Sequence, residues 1–352
     1  MNTQTKPIIA ISLGDPNGIG PEIIFKALAR RDIQAMATFV IFAPGNLFAF
    51  YRKHFDSKIQ TQQIEKLEQI HSNRYNVFNF HTDNFIVDFG KSTPQSGKLA
   101  FESLQFATNA VKDGFCDILV TAPINKANIQ SSSFRFPGHT EFLEDQWGGK
   151  NLMFMIHENI KVGLVTQHIP IQEIKTNISA SALDNKLNAM YQSLKIDFGI
   201  REPKIAVMGL NPHAGDNGLL GTEEIEIIIP TLKNKLEQGM KVFGPFASDS
   251  FFSYENLKKF DGILAMYHDQ GLIPFKTLAG MEGVNYTAGL NFVRTSPDHG
   301  VAYDIANDFV ADETSMVEAI YAAIEIFENR KLHKELLENA LDNKERQSVK
   351  GR

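Results

Sequence analysis

Gly262-Ile-Leu-Ala-Met-Tyr-His-Asp-Gln-Gly-Leu-Ile-Pro-Phe-Lys276 decides how the chain is read. The apolar run Gly262 to Tyr267 predicts a buried strand, which delivers His268, Asp269 and Gln270 to a turn marked by Gly271 and Pro274. Polar side chains at a strand's carboxyl end sit where open α/β sheets bind ligands. The continuation Val284-Asn-Tyr-Thr-Ala-Gly-Leu-Asn-Phe-Val-Arg294 adds Asn285 and Arg294. With Lys276 these supply positive charge and amide hydrogen bonds, a set suited to a phosphate or carboxylate. One histidine or lysine alone would be ordinary solvated surface. An acid, an imidazole, an ammonium and a guanidinium within about thirty residues point instead to a small-molecule site.

The same arrangement recurs upstream. Ile160 to Thr166 reads as a strand ending in Gln167-His168, and Pro203 to Leu210 as a strand ending in Asn211-Pro-His213-Ala-Gly-Asp-Asn-Gly218. Three apolar strands therefore each carry a histidine to a terminus. The spacings, 45 and 55 residues, form no motif. A divalent cation held by His168, His213 and His268 rests on equivalent strand-end placement and on imidazole being the commonest side-chain metal ligand. His54, His71, His81 and His157 lie in charged surroundings and read as solvated surface.

Working outward, Pro7 to Leu13 is a short β-branched run followed by Gly14-Asp-Pro-Asn-Gly-Ile-Gly-Pro-Glu22 and a helical pattern. Pro21 suits a first helical position and Glu22 the positive end of a helix dipole. The spacing differs from the dinucleotide fingerprint G-x-G-x-x-G, and no P-loop lysine follows, so these glycines read equally well as a tight turn. Further strands are expected at Thr38 to Ala43, Tyr75 to Phe80 and Asp117 to Thr121, the last ending in Asn125-Lys126. Helices are expected over Lys98 to Asp113, beyond His139, from Glu223 until Pro230 stops it, and over Met316 to Glu328. The charged tail from Lys331 is expected to start helical and to fray after Asn343. Gly138-His139-Thr140 precedes a helix, where two donors can meet an anion.

Composition bounds the function. Length 352 fits two lobes, and 43% hydrophobic with 22% charged residues describes a globular protein. A formal charge of −6 argues against nucleic-acid partners. A single cysteine, Cys116, excludes an intramolecular disulfide and a Cys-based zinc site, and its place at the start of a strand suggests a packed small hydrophobe. No apolar run approaches a membrane span and no leader pattern opens the chain, so a cytoplasmic location is expected.

His-Asp-Gln-Gly-Leu-Ile-Pro-x-Lys followed by Asn-x-Thr-x-Gly-Leu-x-Phe-x-Arg-Thr-Ser-x-Asp-His-Gly, with Gly-Asp-Pro-x-Gly-Ile-Gly-Pro-Glu at the start, resembles the 4-hydroxythreonine-4-phosphate dehydrogenase family of pyridoxal phosphate biosynthesis. The resemblance runs nearly end to end. It implies an α/β protein of two-lobed α/β/α architecture like the isocitrate and isopropylmalate dehydrogenases, with the active site in the interlobe cleft. The lobes expected are residues 1–126 with 290–352, and 127–289. It also implies NAD or NADP near Asn211, Gly215, Asn217 and Gly218. A divalent metal, zinc, magnesium or cobalt, would lie on His168, His213 and His268, the third ligand coming from the partner of a homodimer. Substrate contacts would be His139, Thr140, Lys276, Asn285 and Arg294, with Lys276 or His139 moving a proton. Tyr286 and Asn291 depart from the family's usual residues at positions expected to shape the pocket. Asp249 and Asp269 are further candidates to orient an imidazole or the ion.

The implied reaction is oxidation of 4-phosphohydroxy-L-threonine to a β-keto acid that decarboxylates to 3-amino-2-oxopropyl phosphate. The alternative is the same chemistry on threonate or erythronate 4-phosphate. A phosphate acyltransferase would need no histidine trio, and a non-catalytic sensor of phosphorylated ligands would have lost polar site residues.

Overall fold

The computed structural model describes residues 6–80, 85–132 and 134–339; His81 and the tail beyond Asn343 lie outside these. Twelve strands occur among them: β1 (Ile8–Ser12), β2 (Thr38–Phe42), β3 (Thr61–Ile64), β4 (Tyr75–Phe78), β5 (Ile118–Thr121), β6 (Gly149–His157), β7 (Ile160–Leu164), β8 (Lys204–Met208), β9 (Lys241–Phe246), β10 (Gly262–Ala265), β11 (Val284–Leu290) and β12 (Val293–Pro297). They join one sheet in the order β3-β4-β2-β1-β5-β12-β11-β6-β7-β10-β8-β9. The flank from β3 to β12 is parallel throughout. So is the flank from β7 to β9. Between them β11 and β6 run antiparallel to their neighbours.

The α-helices in chain order are α1 (Gly20–Leu28), α2 (Arg31–Met36), α3 (Gly45–His54), α4 (Pro94–Lys112), α5 (His139–Trp147), α6 (Ile171–Asn177), α7 (Ala180–Ile196), α8 (Ile229–Glu237), α9 (Ser248–Phe251), α10 (Tyr254–Leu257), α11 (His268–Ala279) and α12 (Thr314–Glu338). Helices on both faces explain why β2 and β5 read as unbroken apolar runs, since a parallel strand covered twice has no polar side. Alternation along β1 sends Ile9 and Ile11 into one core with α1, α7 and α12, and Ala10 into the other with α4 and α5. Cys116 is buried in that second core, which pushes its thiol up to about 12. Helix α4 starts where the sequence says it can: Thr93 accepts from the Ser96 amide at 3.1 Å, with Pro94 in the first turn.

Two expectations are corrected. Gly271 and Pro274 do not mark a turn, because His268 opens helix α11. Gly271 is there for close packing: a Cβ would stand 2.8 Å from Leu164 and 2.9 Å from Val162 on β7. Nor does Pro230 stop a helix. The π-turn Glu224–Ile228 leads directly into α8, where Pro230 occupies a first-turn position that needs no amide donor.

Candidate active site

Strands β7, β10 and β8 are parallel neighbours, so their carboxyl ends share one edge of the sheet. That edge receives all three strand-end histidines. His168 and His268 face each other with ring centroids 5.6 Å apart. His268 Nδ1 pairs with Asp269 Oδ1 at 2.7 Å, which leaves Nε2 as its free ring nitrogen. His168 Nε2 stands 3.1 Å from Lys126 Nζ. Burial, with Lys126 and His268 as neighbours, holds the His168 imidazole down to about 4, so it is neutral at physiological pH. Asp249 is exposed on α9, a short helix packed against the turn that contains His213.

His213 follows β8 at the start of five successive left-handed residues, His213 to Asn217, with φ of 52°, 51°, 83°, 42° and 54°. Such a run is costly for residues with a Cβ and must be held from outside. Glu224 fixes the chain just before it: Oε1 accepts from the amides of Leu210 and Asn211, each at 2.7 Å. The Asn211 side chain, expected to meet a cofactor, is spent on Glu223 at 2.8 Å and Glu224 at 2.9 Å. Asn217 is exposed, and Gly218 is partly so.

Across the sheet, Arg294 on β12 is 2% exposed. Its Nε and Nη2 donate to Thr121 Oγ1 at 3.1 and 2.6 Å, and Nη1 to Thr287 Oγ1 at 3.1 Å. Burial brings the guanidinium down to about 9, with Glu141 acting the other way. His139, the first residue of α5, lies close enough to feel both Arg294 and Lys126. Burial and those two cations hold its ring well below the ordinary imidazole range. Its Nε2 is buried with no partner in the structure, as is Asn285 Oδ1 on β11. Thr140 is partly buried beside it on α5. Lys276 on α11 donates to the Asp298 backbone carbonyl at 3.0 Å and lies 3.2 Å from its carboxylate, a group that also feels His268. Arg294, a buried cation facing two hydroxyls, and the amino end of α5 make an anion cradle, while the Lys276 side chain is 51% exposed.

Several of these groups went unread in the sequence. Thr121, Thr287, Asp298 and Glu224 are in that class. Lys126 closes an apolar strand just as His268 does, and the same edge signal could have found it. The opening Gly-Asp-Pro motif turns out to be a knot: buried Asp15 accepts from the Asn17 amide (2.9 Å), Ser96 (3.1 Å), Asn128 (2.7 Å) and Tyr303 (2.7 Å). Gly14 sits at φ 71°, where a Cβ would meet the Pro123 carbonyl at 2.4 Å. Tyr286 and Asn291 do not shape the site. Tyr286 points to the other face of β11 and donates to Asp197 at 2.5 Å, while Asn291 donates to the Trp147 carbonyl at 2.7 Å. His157 is no freely solvated residue either: its side chain is 12% exposed and pairs with Glu282 at 3.0 Å.

A doubly covered α/β sheet with paired imidazoles at one strand edge and an anion cradle beside them defines an α/β enzyme acting on small anionic molecules. Comparison with known proteins makes this particular. The chain belongs to the family of the pyridoxal phosphate biosynthetic protein PdxA, whose sequence model matches residues 35–323. It is 46% identical over 340 residues to a Bacteroides thetaiotaomicron protein named 4-hydroxythreonine-4-phosphate dehydrogenase, covering 96% of this chain and 93% of that one. An Oceanobacillus iheyensis protein named, provisionally, D-threonate 4-phosphate dehydrogenase is 36% identical over 326 residues, covering 91% and 98%. The crystal structure of 4-hydroxythreonine-4-phosphate dehydrogenase from Klebsiella pneumoniae superposes with a TM-score of 0.80 at 33% identity, covering 93% of this chain and 99% of that one.

Proposed function

We propose that this chain oxidises 4-phosphohydroxy-L-threonine with NAD or NADP to a β-keto acid that decarboxylates to 3-amino-2-oxopropyl phosphate. The observation that carries the reading is Arg294, a buried guanidinium held by hydroxyls within electrostatic reach of the unpartnered His139. Its charge, held by hydroxyls in no salt bridge and with Glu141 acting on it from nearby, suits a phosphorylated substrate. Arg294, His139, Thr140, Lys276 and Asn285 bind that substrate's anionic and polar groups. His139, neutral and with Nε2 unpartnered, or Lys276 accepts a proton.

His168, His213 and His268 would hold a divalent cation, zinc, magnesium or cobalt. The fit is chemical: the rings stand at one sheet edge, and two of them are 5.6 Å apart. Among the described residues no three His, Cys, Asp or Glu side chains of one chain gather as a cation site, and the reading has a second copy contribute the third ligand. Such an ion polarises a hydroxyl or keto oxygen when bound. The nicotinamide cofactor lies by the 211–218 turn, with Asn211 and Gly215 shaping it and Asn217 and Gly218 facing the ligand. Homodimerisation is supported by exposed apolar side chains on α11 and just beyond it, Ile273 at 65% and Met281 at 51%. The lobes are residues 1–126 with 290–352, and 127–289, a division supported by the sheet order, which keeps each set on its own flank. No helix among the described residues is long and apolar enough to cross a membrane, and we assign the protein to the cytoplasm.

The second reading, oxidation of threonate or erythronate 4-phosphate, is favoured by the Oceanobacillus relative. Following NADH absorbance with each substrate separates them. Turnover is expected with 4-phosphohydroxy-L-threonine; equal or better turnover of the threonate phosphate overturns the choice, and no turnover of any overturns the reaction.

A further inference from the structure

Lys126 lies between the two halves of the site. It leaves the carboxyl end of β5 and brings Nζ within 3.1 Å of His168 Nε2. On the way, its Cε passes 3.8 Å from where a Cβ on Gly138 would stand, at the amino end of α5. The next residue is His139, whose ring feels the charges of both Arg294 and Lys126. The lysine thus spans from the imidazole pair to the anion cradle.

Its loop is held firmly. Asn125 Oδ1 accepts from the amides of Ala127 and Asn128 at 2.8 and 3.2 Å. Asn128 Nδ2 donates to Asp15 at 2.7 Å, to Ser96 at 2.9 Å and to the Thr93 carbonyl at 3.2 Å. Lys126 is itself an exposed lysine, so its position is set by its loop rather than by burial. One carried on a loop anchored to the core places its charge in a defined position.

We propose that Lys126 is a catalytic residue whose ammonium donates a hydrogen bond to the reacting oxygen of the substrate, between the imidazole pair and the Arg294–His139 cradle. The inference rests on the reaction proposed above. In the oxidation the carbinol C–H bond breaks, its electron pair passes as hydride to oxidised nicotinamide, and the hydroxyl proton passes to His139 or Lys276 and from there to solvent. In the decarboxylation the bond to the carboxylate carbon breaks, carbon dioxide leaves, and the pair stays as an enolate that solvent protonates at carbon. Lys126 keeps its protons throughout and opposes the negative charge that builds on oxygen.

The test compares wild type with Lys126→Met, Lys126→Arg and Lys126→Ala, using NADH formation, calorimetric substrate binding without nicotinamide, and thermal melting. The expected result is kcat lower by about a hundredfold or more in Lys126→Met, with substrate affinity within about threefold and an unchanged melting temperature. Lys126→Arg retains a larger share, and ethylammonium restores Lys126→Ala by about tenfold or more. The inference is overturned if Lys126→Met keeps kcat within about threefold of wild type. It is equally overturned if ethylammonium does nothing while affinity and melting temperature fall together. Wild type that turns over none of the four-carbon phosphates removes the reaction and this inference with it; active wild type with an unimpaired Lys126→Met removes the inference alone.

Discussion

Arg294 donates to the Thr121 hydroxyl from two nitrogens, Nε at 3.1 Å and Nη2 at 2.6 Å, so a buried guanidinium is oriented by a neutral group at the end of a neighbouring strand. Burying a charge without a salt-bridge partner is unfavourable even with Glu141 acting on it from nearby, and a chain keeps such an arrangement when an anion completes it. Replacing Arg294 with Met therefore separates stability from function. The melting temperature stays level or rises, while affinity for the phosphorylated substrate drops by at least about tenfold, both readable on one preparation by melting and calorimetry.

His139 gives the site a pH signature in stability. Its folded-state pKa lies well below the unfolded value because burial, Arg294 and Lys126 disfavour the imidazolium. Above about pH 6.5 the ring is neutral in both states and folding incurs no penalty. As pH falls below that value the unfolded chain takes up a proton that the native chain refuses, so stability declines with acid until the depressed folded pKa is reached. His139→Gln, neutral at every pH, should flatten the fall in melting temperature between pH 7 and 5. An unchanged slope would show that His139 carries no such linkage.

Tyr286 is tied to stability alone. Its hydroxyl donates to Asp197 Oδ2, which also accepts from Ser193 at 2.7 Å, and Arg330 closes the group through Asp197 Oδ1 at 2.7 Å and the tyrosine oxygen at 2.9 Å. This network fastens α12 to α7 and β11. Tyr286→Phe removes one donor from a buried carboxylate and should destabilise by about 1–3 kcal/mol with kcat/KM unchanged. A comparable loss of kcat/KM would return Tyr286 to the active site.

How much of this was readable in advance differs by element. Strands β1, β2, β5, β7, β8 and β10 were legible because cover on two faces leaves continuous apolar runs, while β3 and β12 were not read; the strand-end placement of His168, His213 and His268 was read by the rule that such strands end at ligands. Helix α11 was not, since Gly271 and Pro274 are turn residues locally and only packing on β7 makes a helix of them. Strand β9 was hidden by Gly244 and Pro245, which a strand at the end of a sheet tolerates. Thr121 and Arg294 stand 173 positions apart, and Lys126 and His168 stand 42 apart, distances over which no local pattern reports contact. Tyr286 was misplaced for a simpler reason: neighbours on a strand face opposite ways, so proximity to Asn285 in sequence puts its ring on the other side of the sheet.

Glu224 fixes the entry to the left-handed turn through the Leu210 and Asn211 amides. Glu224→Ala leaves both donors without that acceptor, a loss of about 1–3 kcal/mol for each that stays buried. If the nicotinamide lies on this turn, its KM should rise by about tenfold or more while the KM for the phosphorylated substrate changes little. Equal effects on both would place the cofactor elsewhere.

The cation site is open to direct observation. Crystals grown with cobalt(II), measured on both sides of the cobalt absorption edge, should show one strong anomalous peak per active site within bonding distance of His168, His213 and His268, the third ligand coming from a second copy of the chain. A map with no peak there, or with its peak away from those imidazoles, would contradict the proposed metal-dependent enzyme.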